Sequence, residues 1–298
     1  MTDRPTATPS SKPRTDRVGI VFVLVSAVGF GTLGIFGIYA QRVGLSIPTV
    51  LTYRFLVGAA IVWIVLAASD RFRPLRGRTL GVAFALGAFG YATMSGLYFL
   101  GLEFMTAGMV AIVLYTYPAF VVVLAAVVLG ERLTRRIVVA LALAIGGIVL
   151  VVGADPAGAS VTGVLIVLGA ASAYAAYIIT SRTVLRTVDP LVLTAYVLPA
   201  GGLTFVFISV LTGGVVVPTT LDAWAVLIGV ATVATAVPVL LFFAGIERIG
   251  ASRAGIASTI EPVVTVALGA ILFAEPVTGV TVAGGVCILL AVVLLNRR

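Results

Sequence analysis

Apolar residues in this chain do not alternate with polar ones. They run on, in stretches separated by short polar punctuation, near residues 18–40, 47–69, 79–101, 105–129, 136–153, 161–183, 190–211, 222–245, 251–273 and 278–296. A transmembrane helix needs about 20 mainly apolar residues, so each stretch predicts one span. A β-barrel would need ~10-residue segments of alternating character, and runs such as AFVVVLAAVVLG have none. The expected fold class is an all-α integral membrane protein with ten transmembrane helices.

Composition agrees: 61% of the 298 residues are hydrophobic and 10% charged, against about 25% charged in soluble domains. The net charge of +8 would suit nucleic acid, but its placement points elsewhere. Arg4, Lys12, Arg14 and Arg17 precede the first stretch, and Arg71, Arg73, Arg76 and Arg78 follow the second. Arg132, Arg135 and Arg136 follow the fourth, Arg182 and Arg186 the sixth, Arg248 and Arg253 the eighth, Arg297 and Arg298 the last. Seventeen of the 19 basic residues thus share one side, with Arg42 opposite and Arg54 inside helix 2. By the positive-inside rule both termini are expected to be cytoplasmic, and no nucleic-acid partner is implied. Residues 1–17, rich in Pro, Ser and Thr, read as a disordered basic cytoplasmic tail. No small-residue cleavage site follows the first apolar stretch, which reads as a helix rather than a signal peptide. With one cysteine and no histidine, neither an internal disulfide nor a metal cluster is expected, and no cofactor. No P-loop occurs, so neither ATP drive nor an ATPase partner is implied.

Shifted by 144 residues, the chain matches itself. Gly101, Glu103, Ala107, Pro118, Glu131 and Thr134 fall on Gly245, Glu247, Ala251, Pro262, Glu275 and Thr278. The division is therefore 18–156 for a first five-helix repeat and 157–298 for a second. Five is odd, so the second repeat must enter the membrane from the opposite side. Inverted repeats are a common architecture for alternating access, with cargo bound near the midplane.

Each half carries Pro, then Glu thirteen positions on and Thr three further: PAFVVVLAAVVLGERLT and PVVTVALGAILFAEPVT. With YRF in helix 2 and EP in helix 9, the chain resembles the EamA-type members of the drug/metabolite transporter superfamily. Within them it looks most like the aromatic and broad-specificity amino-acid exporters. The resemblance implies two inverted five-helix repeats, export of small metabolites, and a multi-pass protein of the bacterial inner (cytoplasmic) membrane.

Only Arg54 and Glu261 are ionisable and well inside a span, where a charge costs about 2.5–3.5 kcal/mol on insertion scales. Glu261 reads as a site for a proton or a substrate amino group, or as a structural partner of Arg54 or of backbone freed by Pro262. Its counterpart in the first half is Tyr117. Arg54 could fork a carboxylate, but snorkelling to the outer surface is the expectation. GFGTLG in helix 1 lacks the strand and acid of a dinucleotide site and reads as a packing face or bending point. Phe84, Tyr91 and Tyr98 recur every seven residues, hence on one face. Tyrosines at mid-depth need partners for their hydroxyls, which places them inside. The candidate substrate-binding residues are Tyr91, Tyr98, Tyr115, Tyr117, Tyr174, Tyr177, Thr235 and Glu261, with Thr232, Ser258 and Thr259 nearby. Pro118, Pro238 and Pro262 are candidate kink or gating positions, and Trp63 and Trp224 interface anchors.

A cavity rich in tyrosine and poor in charge suits zwitterions better than phosphates. The expected function is secondary export of amino acids or similar metabolites; the alternative is export of cationic or aromatic drugs with proton exchange at Glu261. One intramembrane carboxylate without histidine does not make a catalytic constellation, and no channel filter is evident. One carboxylate is also thin support for proton coupling, so facilitated export is favoured. The topology is checked by fusing alkaline phosphatase after Arg73 or after Gly214. Activity is expected from the second fusion and not from the first.

Overall fold

In the computed structural model, which describes residues 16–129, 134–154 and 160–296, each apolar stretch coincides with one helix. The helices are α1 Arg17–Arg42, α2 Ile47–Ala67, α3 Gly77–Gly101, α4 Ala107–Val127 and α5 Arg135–Ala154 in the first half. The second half adds α6 Val161–Val184, α7 Pro190–Leu211, α8 Leu221–Ile249, α9 Arg253–Phe273 and α10 Gly279–Leu295. No strand occurs among the described residues. Eight helices are long and apolar enough to cross a membrane, and α10 is a shorter apolar helix along which α5 packs. The chain is a multi-pass membrane protein.

Side-chain oxygens start most helices. Asp16, Ser46, Thr106, Ser160, Asp189 and Thr220 each accept from a first-turn N–H of α1, α2, α4, α6, α7 and α8. Thr134 and Thr278 do the same for α5 and α10. Such caps satisfy donors that helix geometry orphans. The Thr that closes the repeated motif is thus a helix start. Its Glu acts across helices: the Glu275 carboxylate accepts from Ala107 N at 2.9 Å and Gly108 N at 3.2 Å, holding the link between α9 and α10 to the start of α4. Glu131, its counterpart, lies outside the described residues, as do residues 1–15 of the tail and several of the basic residues.

The main helix pairs respect the duplication. α2 lies against α7 and α5 against α10, while α1 lies against α8 as α6 lies against α3. Exchanging the halves maps this set of pairs onto itself. Breaks recur at matching positions too. α3 has a π-helical turn over Leu86–Tyr91 and α8 one over Thr232–Ala236. α4 stops at Leu114 and restarts at Tyr117, and α9 passes through a 3₁₀ turn over Ser258–Ile260 before restarting at Glu261. Pro118, Pro238 and Pro262 all occupy the first turn of the restarted helix, where a missing N–H costs nothing.

These breaks correct one expectation. A π turn adds a residue to the helical turn, so a seven-residue spacing across it no longer stays on one face. Phe84 accordingly sits 44% exposed while Tyr98 is buried. Trp63 and Trp224, expected as lipid-interface anchors, donate to protein carbonyls, of Ala195 at 2.6 Å and of Pro218 at 3.1 Å.

The glycine-rich stretch of α1 is a packing face around a joint. α1 breaks at Thr32, whose hydroxyl donates to Gly29 O at 2.6 Å. Ser26 donates to Pro238 O at 2.7 Å and Thr265 to Gly31 O at 2.8 Å, tying α1 to α8 and α9. A Cβ on Gly29 would lie 2.5 Å from Pro238 Cγ and 2.8 Å from the Val233 carbonyl oxygen. Gly29→Ala should destabilise the protein by about 1–3 kcal/mol through overpacking, read as a lower thermal midpoint in detergent. Gly81→Ala, where nothing lies within 4 Å, is the matched substitution expected to leave it unchanged.

Candidate functional site

The helix breaks converge on a chamber enclosing about 1340 Å³ of space, open solvent included. Its wall carries Tyr91 and Tyr98 from α3, Tyr115 and Tyr117 from α4, Tyr174 and Tyr177 from α6, and Ser258 and Glu261 from α9, with Arg54 from α2. Seven of the eight expected substrate-binding residues meet there. Thr235 does not: it is buried behind the wall and touches the chamber through Arg54. Thr232 and Thr259 are also away from it, each donating to a carbonyl of its own helix.

The tyrosine rings form a continuous row. Centroids are 5.6 Å apart for Tyr91 and Tyr177, 6.1 Å for Tyr177 and Tyr174, 4.7 Å for Tyr174 and Tyr117, and 5.9 Å for Tyr117 and Tyr115. These separations and tilts fall within the range aromatic pairs favour. Arg54 stands at the Tyr91 end and Glu261 at the Tyr115 end.

Arg54 does not snorkel. It is 1% exposed, and its Nε donates to Thr235 Oγ1 at 2.9 Å, Nη1 to Ser95 Oγ at 3.3 Å and Nη2 to the Tyr91 hydroxyl at 3.4 Å. The rings of Phe55, Tyr91 and Phe99 lie 5.2 to 5.9 Å from its Cζ. Nor does it pair with Glu261: no carboxylate among the described residues lies within 4.0 Å of its guanidinium. Tyr91 and Thr235 are 144 positions apart, so the matching π turns of the two halves hold one guanidinium between them.

Glu261 is held by Tyr115. The Tyr115 hydroxyl lies 2.7 Å from Ser258 O and 2.9 Å from Glu261 Oε2. That hydroxyl has one proton, and a peptide carbonyl can only accept. Given to Ser258, the proton leaves the contact with Glu261 to be completed by a proton on the carboxyl.

The chamber extends toward one end of the bundle, past Ser181 and Leu185 of α6 and Pro190 of α7. At that end Arg71 bonds Glu247 of α8 and approaches Asp189 to 3.9 Å. The hydrogen bonds to Glu247 raise the Arg71 pKa above its ordinary value. The pair is half exposed, which limits its contribution to about 0–1 kcal/mol. At the opposite end the Arg42 guanidinium lies 4.4 Å from the centroid of Phe273, which also meets Tyr39 edge-on at 5.0 Å.

Comparison with known proteins follows the duplication. The profile of the EamA-like transporter family matches residues 17–153 and again residues 161–297. An uncharacterized transporter of Archaeoglobus fulgidus is 28% identical over 285 residues, covering 96% of this chain and 98% of its own. The uncharacterized transporter YcbK of Bacillus subtilis is 26% identical over 278 residues, 89% of this chain and 88% of its own. One crystal structure superposes with a TM-score of 0.65 at 19% identity over 93% of this chain and 95% of that one, a likeness of fold.

Replacing Thr235 by its isostere Val leaves the Arg54 Nε–H without its acceptor. Hydrogen bonds to charged groups are worth about 1.5–3 kcal/mol, and a loss of that size in thermal stability is expected for Thr235→Val. Thr232→Val, at a hydroxyl that serves only its own helix, should stay close to wild type in the same scan.

Proposed function

This chain belongs to the EamA-like transporter family, and from that premise we propose that it is a secondary transporter exporting amino acids, aromatic and other neutral ones, or similar small metabolites. The observation that carries the proposal is the row of five tyrosine rings on the wall of a chamber into which the broken helices of both halves turn. Aromatic walls bury apolar side chains while their hydroxyls serve polar groups, which suits a cargo that is part apolar and part charged. The substrate-binding set is then Tyr91, Tyr98, Tyr115, Tyr117, Tyr174, Tyr177 and Glu261 on the wall, with Thr235 acting through Arg54. Pro118, Pro238 and Pro262 mark the joints.

The transport unit proposed has ten spans in two inverted repeats, 18–156 and 157–298, with both termini cytoplasmic in the bacterial inner membrane. The chamber then faces the cytoplasm, and the packing of Arg42, Phe273 and Glu275 closes the outer end. Alternating access exchanges the two. Cofactors have no part in it.

A second reading rests on the Tyr115 geometry, in which one hydroxyl proton faces two acceptors and a proton on Glu261 can complete the second contact: export of cationic or aromatic drugs in exchange for that proton. Proteoliposomes separate the two. Counterflow of labelled amino acids is expected in wild type without any gradient and without acceleration by an imposed pH gradient, as facilitated export requires; acceleration that Glu261→Gln abolishes while retaining exchange would make Glu261 a coupled proton site. No amino-acid flux above empty liposomes would refute the first reading. Drug tolerance of expressing cells lost in Glu261→Gln, with amino-acid flux unchanged, would establish the second.

A further inference from the structure

We infer that Arg54 is the seat of a carboxylate on the cargo, an inference that rests on the transport reading above and names the handle by which the cargo is held. A guanidinium has five N–H donors. Three of those on Arg54 are used, one each on Nε, Nη1 and Nη2. One N–H on Nη1 and one on Nη2 remain without a protein acceptor among the described residues. One N–H on each terminal nitrogen is what an end-on fork to both oxygens of a carboxylate requires.

The three acceptors present, Thr235, Ser95 and Tyr91, are all neutral hydroxyls. No Asp or Glu side chain lies within 4.0 Å of Arg54 among the described residues. A cation buried in protein at membrane depth normally has a counter-ion or faces a water-filled cavity. Arg54 borders the chamber, so the counter-ion can arrive with the cargo. The bond to the Tyr91 hydroxyl, at 3.4 Å, is the longest of the three, and Tyr91 shares the chamber wall with Arg54. A carboxylate would add to these three bonds two more in which both partners are charged. From Arg54 the cargo's remaining atoms run along the tyrosine row toward Glu261. The same arrangement rejects a bare amine, which would bring a second positive charge to Arg54.

The test uses purified full-length protein and four probes of nearly equal shape: phenylalanine, phenylpropionate, phenylalaninamide and phenethylamine. In detergent, phenylalanine and phenylpropionate should raise the thermal midpoint of wild type, and the amide and amine should do so only at concentrations about tenfold higher or more. In proteoliposomes the same ranking should hold for inhibition of labelled phenylalanine counterflow. Arg54→Gln should lose the preference for acids. Arg54→Lys, which keeps the charge but not the fork, should fall between. Equal binding of acid and amide by wild type, or an unchanged acid preference in a folded Arg54→Gln, overturns the assignment. Because the acid-to-amide comparison needs no variant, a substitution that fails to fold does not remove the test. Absent phenylalanine flux with the acid preference intact would refute the transport reading for this cargo and leave the carboxylate site standing.

Discussion

A single positive charge buried at the edge of the chamber organises the centre of this molecule. Arg54 enters from α2 and is satisfied only by groups from α3 and α8, so those two helices must lie where their hydroxyls meet it. They are counterparts under the internal duplication, and each reaches Arg54 at or just after a π-helical turn. A π turn loosens the regular backbone ladder and re-aims side chains. Here it brings Tyr91 inward on one side and Thr235 on the other. The two halves are thereby clasped around one cation at the depth where the chamber lies.

Much of this organisation was legible in the chain. Unbroken apolar runs located the helices because a bilayer leaves no alternative to internal backbone bonding. The motif at Pro118 and Pro262 marked the restarts of α4 and α9 because proline is tolerated only in a first turn. Tyrosines at mid-depth located the chamber because a phenol hydroxyl cannot be left in lipid.

What was not legible depended on irregular backbone and on partners distant in sequence. The spacing of Phe84, Tyr91 and Tyr98 assumed a regular helix, and the π turn between them moved Phe84 outward. Snorkelling was expected for Arg54 because it lies only about two turns into α2; its acceptors lie 37, 41 and 181 positions away, out of reach of any local pattern. Thr235 read as a cavity residue, and nothing in its own helix told that it would support the guanidinium from behind. Thr232, three positions earlier in the same π turn, bonds only its own helix.

The duplication is imperfect at one joint, and that imperfection is a source of energetic bias. α1 is broken at Thr32, whereas α6, its counterpart, runs without interruption from Val161 to Val184. In a machine whose two faces are made by exchanging the roles of the halves, identical halves would make the two facings equal in free energy. Under the alternating access proposed above, halves that differ at a joint would not, and the empty carrier would rest more often with one face open. Such a resting preference cannot set the direction of net flow, which belongs to the cargo gradient. It does divide the apparent affinity unequally between the two sides, since a site open for only a fraction of the time binds more weakly by that fraction. On that proposal, the uninterrupted helix of one half and the jointed helix of the other would make the membrane's two aqueous compartments kinetically distinguishable to a carrier built from a repeated unit.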